Sequence, residues 1–309
     1  MAAQRRGEKS DLEKALELFV QVQAQYRHQS EITGRAQLQT ARVCYIQKAY
    51  ARAAELYQEY LERYPDSRER SLVLLELGLS QRDAEQPEQA LAALEQIPLD
   101  AELWSKAGLV GGELLLHLGR LDQAVTLVQR GLTALRSGEG AGELHYVLAK
   151  VYFEQKDYPA ALAAFTHAHD ESSVESVLQG TLLGRGTTYY QLGDNEQAAR
   201  DLEELLAANP PRDLRDQARR LLGQAYVRMG RRAEAIKAYQ AIIEATPDPR
   251  ERAEFTLLLA ELYYGLERYQ EAIEQTQAVI DADFDDRVEE GGDSVKNRAY
   301  FVMGNASTR

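Results

Sequence analysis

Alanine recurs along the chain at nearly even intervals, at Ala15, Ala53, Ala90, Ala124, Ala161, Ala198, Ala235 and Ala272. The gaps are 38, 37, 34, 37, 37, 37 and 37 residues. A fixed period in this range marks a repeat array. Such a chain folds as a row of small units, each packed on its neighbours. Length alone, at 309 residues, would otherwise suggest two domains.

Other columns share the phase. Twelve residues before each alanine lies a small residue: Ala41, Gly78, Gly112, Ala149, Gly186, Gly223 and Ala260. Nine before lies a tyrosine in the later units (Tyr152, Tyr189, Tyr226, Tyr263), with Cys44, Gln81 and Leu115 in the earlier ones. Four after the alanine comes a bulky residue: Phe19, Tyr57, Leu94, Val128, Phe165, Leu202 and Tyr239, with Thr276 as the exception. Twelve after comes proline in three units, at Pro65, Pro210 and Pro247. Two helices packed as a hairpin need small residues where their backbones approach. A large residue one turn on lies on the same helix face and fills the next gap. Turn elements such as Leu192-Gly193-Asp194 and Met229-Gly230-Arg231 separate the helices, and glycine supplies the positive φ there. Proline ends the second helix, because it cannot continue the hydrogen-bond ladder.

On these columns the chain resembles the tetratricopeptide repeat. The best matches are Leu222-Gly223-Gln224-Ala225-Tyr226 with Ala235, Tyr239 and Pro247, and Leu77-Gly78 with Ala90. The resemblance implies an all-α fold, a right-handed α-solenoid of helix-turn-helix repeats forming one array over 1–309. It implies a partial helix B at 11–28, full repeats at about 34–66, 71–99, 105–136, 142–170, 179–210, 216–247 and 253–284, and a partial helix A at 295–305. The family period is about 34 residues, and the extra residues here are expected between helix B and the next helix A, as at Tyr64-Pro65-Asp66-Ser67-Arg68. The string from Leu61 to Ser67 resembles bacterial envelope members of the family. Solenoid ends need polar caps. Leu12, Ala15, Leu16, Phe19 and Val20 form a helix B without its helix A, and Tyr300 to Gly304 a helix A without its helix B. Two readings follow: a segment of a longer array, or self-association of the open terminal helices.

The resemblance also places function on the helix-A side, which lines the concave groove of such arrays. The expected peptide-binding groove comprises Tyr45, Leu79, Leu116, Tyr146, Lys150, Phe153, Leu183, Tyr190, Arg220, Val227, Leu257 and Tyr264. These fall in columns eight, eleven and fifteen residues before the alanine. Aromatic residues there offer large contact area at low entropic cost. An amphipathic helix or an extended peptide with apolar anchors fits such a face. Lys150, Arg42 and Arg220 are the cations expected near an acidic peptide group. Some members grip a chaperone's C-terminal carboxylate with lysine, asparagine and arginine from three successive units. No three successive units here supply that set.

The formal charge of −13 disfavours phosphate backbones and anionic lipid surfaces, so neither nucleic acid nor membrane is an expected partner. No apolar run approaches the roughly 20 residues of a membrane span. The basic start, Arg5-Arg6, has no apolar segment behind it and is not a signal peptide. A soluble protein of bacterial cytoplasm or periplasm is expected. One cysteine, Cys44, allows no intrachain disulfide, and its column makes it a core thiol. The acidic run from Asp281 to Asp293 starts like a calcium loop, but Asp286 and Gly292 stand where glycine and glutamate are needed. His167 and His169 are two apart and face different ways on a helix. No phosphate loop or nucleophile–base spacing is present, and neither cofactor nor catalysis is expected. Trp104, the one tryptophan, is expected in an inter-repeat junction. The expected function is a non-catalytic scaffold binding a protein or peptide partner, within a bacterial multiprotein assembly. The alternative is a regulatory or substrate-presenting segment of a larger enzyme or transcription regulator.

Overall fold

The computed structural model describes residues 2–98, 103–135, 140–286 and 294–309, with side chains from residue 11 onward except that of residue 134. Among them are sixteen α-helices and no strand. The chain divides into two compact units: 1–157 with 170–172, and 158–169 with 173–309.

The first unit holds α1 (Ala2–Gln25), α2 (Ser30–Ile46), α3 (Tyr50–Arg63), α4 (Arg70–Asp83), α5 (Pro87–Leu94), α6 (Trp104–His117), α7 (Leu121–Ala134) and α8 (Ala141–Glu154). The second holds α9 (Tyr158–Glu171, its last two residues assigned to the first unit), α10 (Glu175–Leu192), α11 (Asn195–Ala207), α12 (Arg212–Arg228), α13 (Arg232–Ala245), α14 (Pro249–Gly265), α15 (Tyr269–Asp281) and α16 (Val295–Ser307). Even-numbered helices are the A helices and odd-numbered ones the B helices. In the first unit α1 packs on α2, α3 on α4 and α6 on α8; in the second, α11 packs on α12 and α14 on α16.

The alanine column explains the packing. Ala53, Ala90, Ala124, Ala161, Ala198, Ala235 and Ala272 are all fully buried. The small-residue column is the hole that the bulky column enters. A β-carbon on Gly78 would lie 2.8 Å from Leu94, one on Gly112 2.7 Å from Val128, and one on Gly223 3.1 Å from Tyr239. Each of those side chains sits four residues after its unit's alanine. Phe165 departs from this, entering α10 at Gly184, where a β-carbon would lie 2.3 Å from its ring.

One turn geometry closes every hairpin. Lys48, Glu85, Gly119, Lys156, Gly193, Gly230 and Glu267 have φ between 59° and 83°. Each stands five residues before its alanine. In the first turn the Lys48 N–H donates to the Tyr45 carbonyl and the Ala49 N–H to the Cys44 carbonyl, both at 2.9 Å. This is a Schellman closure, and the other six hairpins repeat it. Glycine was expected to supply the positive φ; in four of seven turns an exposed lysine or glutamate does so.

The added residues of the longer period lie partly elsewhere than the sequence implies. Residues 64–69 do form a loop before α4. Further on, the A helices begin earlier instead. The helices α10, α12 and α14 have 18, 17 and 17 residues, against 14 for α4, α6 and α8. In α14 the Asp248 carboxylate caps the Glu251 N–H at 2.8 Å and Pro249 opens the helix, which together favour an added turn. The first helix likewise starts at Ala2, ahead of the expected 11–28.

Candidate functional site

The column eight before the alanine lies in the last turn of each A helix. Its carbonyls accept the N–H of the positive-φ residue, so the Schellman closure fixes its backbone. In the first unit the half-buried Tyr45 donates its hydroxyl to Asp83 Oδ2 at 2.5 Å and stands edge-on to Tyr50 at 5.2 Å. Burial, then the hydrogen bond to Asp83, pushes its hydroxyl up to about 12. Leu116 and Phe153 are half-buried in the same column. In the second unit the Arg228 guanidinium stacks 3.7 Å from the Tyr190 ring centroid. Val227 is 43% exposed. Tyr264 stands edge-on to Tyr269 at 5.7 Å.

The column eleven before the alanine is partly taken up within the chain. Leu79 is half-buried. Lys150 Nζ lies 5.4 Å over the Tyr146 ring, a cation–π contact. Arg42 bonds Glu76 at 2.9 Å. The column fifteen before is core in three of its seven members. Leu38, Leu75 and Leu257 are 2%, 6% and 0% exposed. Leu257 packs with Ala253, Val279, Val295 and Ala299. The following A helix covers it, so Leu257 offers no surface to a partner. Leu183 is half-buried against the core of its unit, and Tyr146 is half-buried with burial raising its hydroxyl. Arg220 is exposed, but bonds Glu251 at 2.6 Å and lies over the Phe255 ring. All three expected cations therefore have partners in the chain.

These contacts form a ladder between successive A helices. Arg42–Glu76 and Tyr45–Asp83 join α2 to α4. Arg228 to the Tyr190 carbonyl joins α12 to α10, Arg220–Glu251 joins α12 to α14, and Arg298–Glu261 joins α16 to α14. Sequence reasoning missed this ladder. Its signal was opposite charges or a tyrosine–acid pair one repeat apart, such as Arg42 and Glu76. A further buried pair, Arg185 to Asp201 at 2.6 and 2.8 Å, joins α10 to α11. The acidic run after α15 extends into 287–293, outside the described residues. Within them, Asp286 accepts the N–H groups of Val295 and Lys296, so it caps α16. Cys44 is buried, which raises its thiol above the ordinary range. Trp104 is buried against Gly131.

These hairpins, closed by one turn and joined through small-residue columns, define an α-solenoid of helix-turn-helix repeats. Comparison with known proteins gives its family. A tetratricopeptide repeat model matches residues 183–249 and 220–286, and a tetratricopeptide repeat-like domain model matches residues 1–147. The chain belongs to the tetratricopeptide repeat family. No curated protein sequence matches it. Among solved structures, the C-terminal part of a repeat protein from Cytophaga hutchinsonii is similar at a TM-score of 0.63 and 14% identity, covering 80% of this chain and 95% of that one. A tetratricopeptide repeat protein from Parabacteroides merdae is similar at 0.55 and 15% identity, covering 89% and 98%. YrrB, described as having an unusual peptide-binding site, is similar at 0.52 and 18% identity, covering 71% and 97%. At these identities the likeness is one of fold. Repeats of this family act generally as protein-interaction modules. Among the described residues no helix is long and apolar enough to cross a membrane.

Proposed function

We propose that the chain is a non-catalytic scaffold that holds a protein or peptide through the helix-A face, within a bacterial multiprotein assembly. One contrast carries the reading. From Ala53 onward the alanine column is fully buried, whereas the column eight before it stays open to solvent in part and carries Tyr190, Val227 and Tyr264 on successive A helices of the second unit. An aromatic, partly wet stripe held by rigid helices suits apolar anchors of a partner. Because Arg42, Lys150 and Arg220 are engaged within the chain, the anchors rather than charge pairing supply the affinity. Leu257 is left out of this surface.

The test replaces Tyr190 by Ala and Val227 by Asp together. Proteins captured from the source cell by the natural chain are then titrated calorimetrically against both forms. Affinity is expected to fall tenfold or more, as truncated hot spots do, with the melting temperature nearly unchanged. Equal affinity for both forms sinks the proposal. A second copy is a further candidate partner. On α16, Tyr300 and Phe301 are 56% and 71% exposed, and nothing lies within 4 Å of a β-carbon on Gly304. Light scattering at rising concentration reads this directly, and a constant monomer mass refutes it.

A further inference from the structure

The tyrosines nine residues before the alanine span the seam between their own A helix and the preceding B helix. Gln129 Nε2 donates to the Tyr152 hydroxyl at 3.0 Å, the Tyr226 hydroxyl donates to Glu203 at 2.6 Å, and Gln240 Nε2 donates to the Tyr263 hydroxyl at 3.4 Å. In each case the partner lies 23 residues upstream and is exposed on a B helix. The ring fills the seam and the hydroxyl reaches its rim.

In the first unit this tyrosine is missing three times, at Cys44, Gln81 and Leu115, and a cleft opens at two of these positions, Gln81 and Leu115. Gln81 holds the column on α4, and Gln58 stands 23 residues upstream on α3. Both line a cleft of about 510 Å³ between α3, α4 and α5, walled also by Leu61, Leu74 and Leu77. Leu115 holds the column on α6, and Ala92 stands 23 residues upstream; both line a second cleft of about 510 Å³. Gln81 is 6% exposed, and its Oε1 is buried with no hydrogen-bond partner among the described residues. A buried acceptor without a donor is costly and uncommon in a native fold. The cleft also carries Glu62, Arg70, Gln89 and Gln96, so its lining is mixed: leucine and alanine give it an apolar wall, and polar side chains can fix the orientation of a bound group.

We infer that the seam over Gln81 is a second binding site, on the helix-B side, that takes a tyrosine side chain of a partner peptide. The ring would enter from the rim past Gln58, and the Gln81 amide would turn towards the cleft so that its Oε1 accepts the incoming hydroxyl. The chain itself supplies the precedent, since its own tyrosines fill the equivalent seams. The site is separate from the helix-A face and stands or falls independently of it.

The probe is p-cresol, the tyrosine side-chain analogue, titrated into the full chain and followed by amide chemical shifts. Toluene, which lacks the hydroxyl, is the control. Shifts are expected at Gln58, Leu77 and Gln81, with p-cresol bound about fivefold tighter than toluene, the worth of one net hydrogen bond. Gln81→Tyr fills the seam from within and is expected to raise the melting temperature and abolish these shifts. Gln81→Leu, a residue that the next repeat already carries in this column, is expected to bind both probes equally. Shifts elsewhere only, equal binding of the two probes by the natural chain, or a cresol preference that survives Gln81→Leu each overturns the inference. Should Gln81→Tyr fail to fold, the Gln81→Leu comparison still decides.

Discussion

At the scale of the residue, the hairpin turns hold a local conflict. Lys48, Glu85, Lys156 and Glu267 take φ near 60°, where a side chain crowds the following carbonyl at about 1–2 kcal/mol. All four side chains are exposed. Two Schellman hydrogen bonds, made by backbone alone, hold each turn. Substituting glycine therefore relieves the crowding and loses no contact in the fold. The gain is reduced by the greater freedom of glycine in the unfolded chain, about 0.4–1 kcal/mol. Lys156→Gly and Glu85→Gly are each expected to stabilise by about 0.5–1 kcal/mol, read as a raised midpoint in urea denaturation. Lys156→Ala, which keeps a β-carbon, is expected to give no such gain. A lower midpoint for the glycine variants would show that the side chain contributes to the turn.

At the scale of the element, helix A and helix B meet as a glycine hole and a bulky knob. Gly112 is the most crowded of the column glycines, because a β-carbon there would also lie 3.0 Å from Val147 Cγ1. Alanine is the better helix former by about 1 kcal/mol, yet overpacking a filled core costs about 1–3 kcal/mol. Val128 and Val147 are fully buried and, being β-branched, have few alternative rotamers. Gly112→Ala is accordingly expected to lower stability by about 1 kcal/mol net in thermal unfolding, against the direction of helix propensity. Gly265→Ala is the control, since nothing lies within 4 Å of its β-carbon position. An equal loss at both positions would refute the packing account. The same columns explain what the sequence made legible. Packing on a neighbouring backbone tolerates only small residues, so the hole column repeats in register and shows in the alignment. The core nature of Leu257 was hidden, because it reads as an apolar residue of helix A whether a groove or the next helix covers it. The ladder was hidden too. Arg42 and Glu76 are far apart in sequence and common on surfaces, and only the fold brings them to 2.9 Å. The three filled tyrosine seams needed the 23-residue pairing, which no single helix period reveals.

At the scale of the whole molecule, the array has no single centre, and its stability is the sum of hairpins and the seams between them. Tyrosine hydroxyls serve those seams in both units, which ties the fold to alkaline pH. Tyr45, Tyr226 and Tyr239 are pushed up to about 12, and Tyr57 goes higher still, with burial the largest cause in each. Asp83 adds to the rise at Tyr45, and Glu203 at Tyr226, through hydrogen bonds that only the neutral hydroxyl can donate. In the unfolded chain the same groups titrate near 10. A group whose folded value is raised binds its proton more tightly in the native state. Its contribution is complete below about pH 10 and is lost as pH rises towards 12. Ionisation also adds negative charge to a molecule already at −13, and self-repulsion acts in the same direction. Circular dichroism across pH 8–13, followed together with tyrosinate absorbance, is expected to show the helices melting as these buried hydroxyls ionise. Tyr45→Phe removes one such hydroxyl and leaves Asp83 with its Arg82 partner at 2.8 Å. It is expected to move the alkaline midpoint upward while costing stability at neutral pH. An unchanged alkaline midpoint in that variant would mean that the Tyr45–Asp83 bond plays no part in the transition.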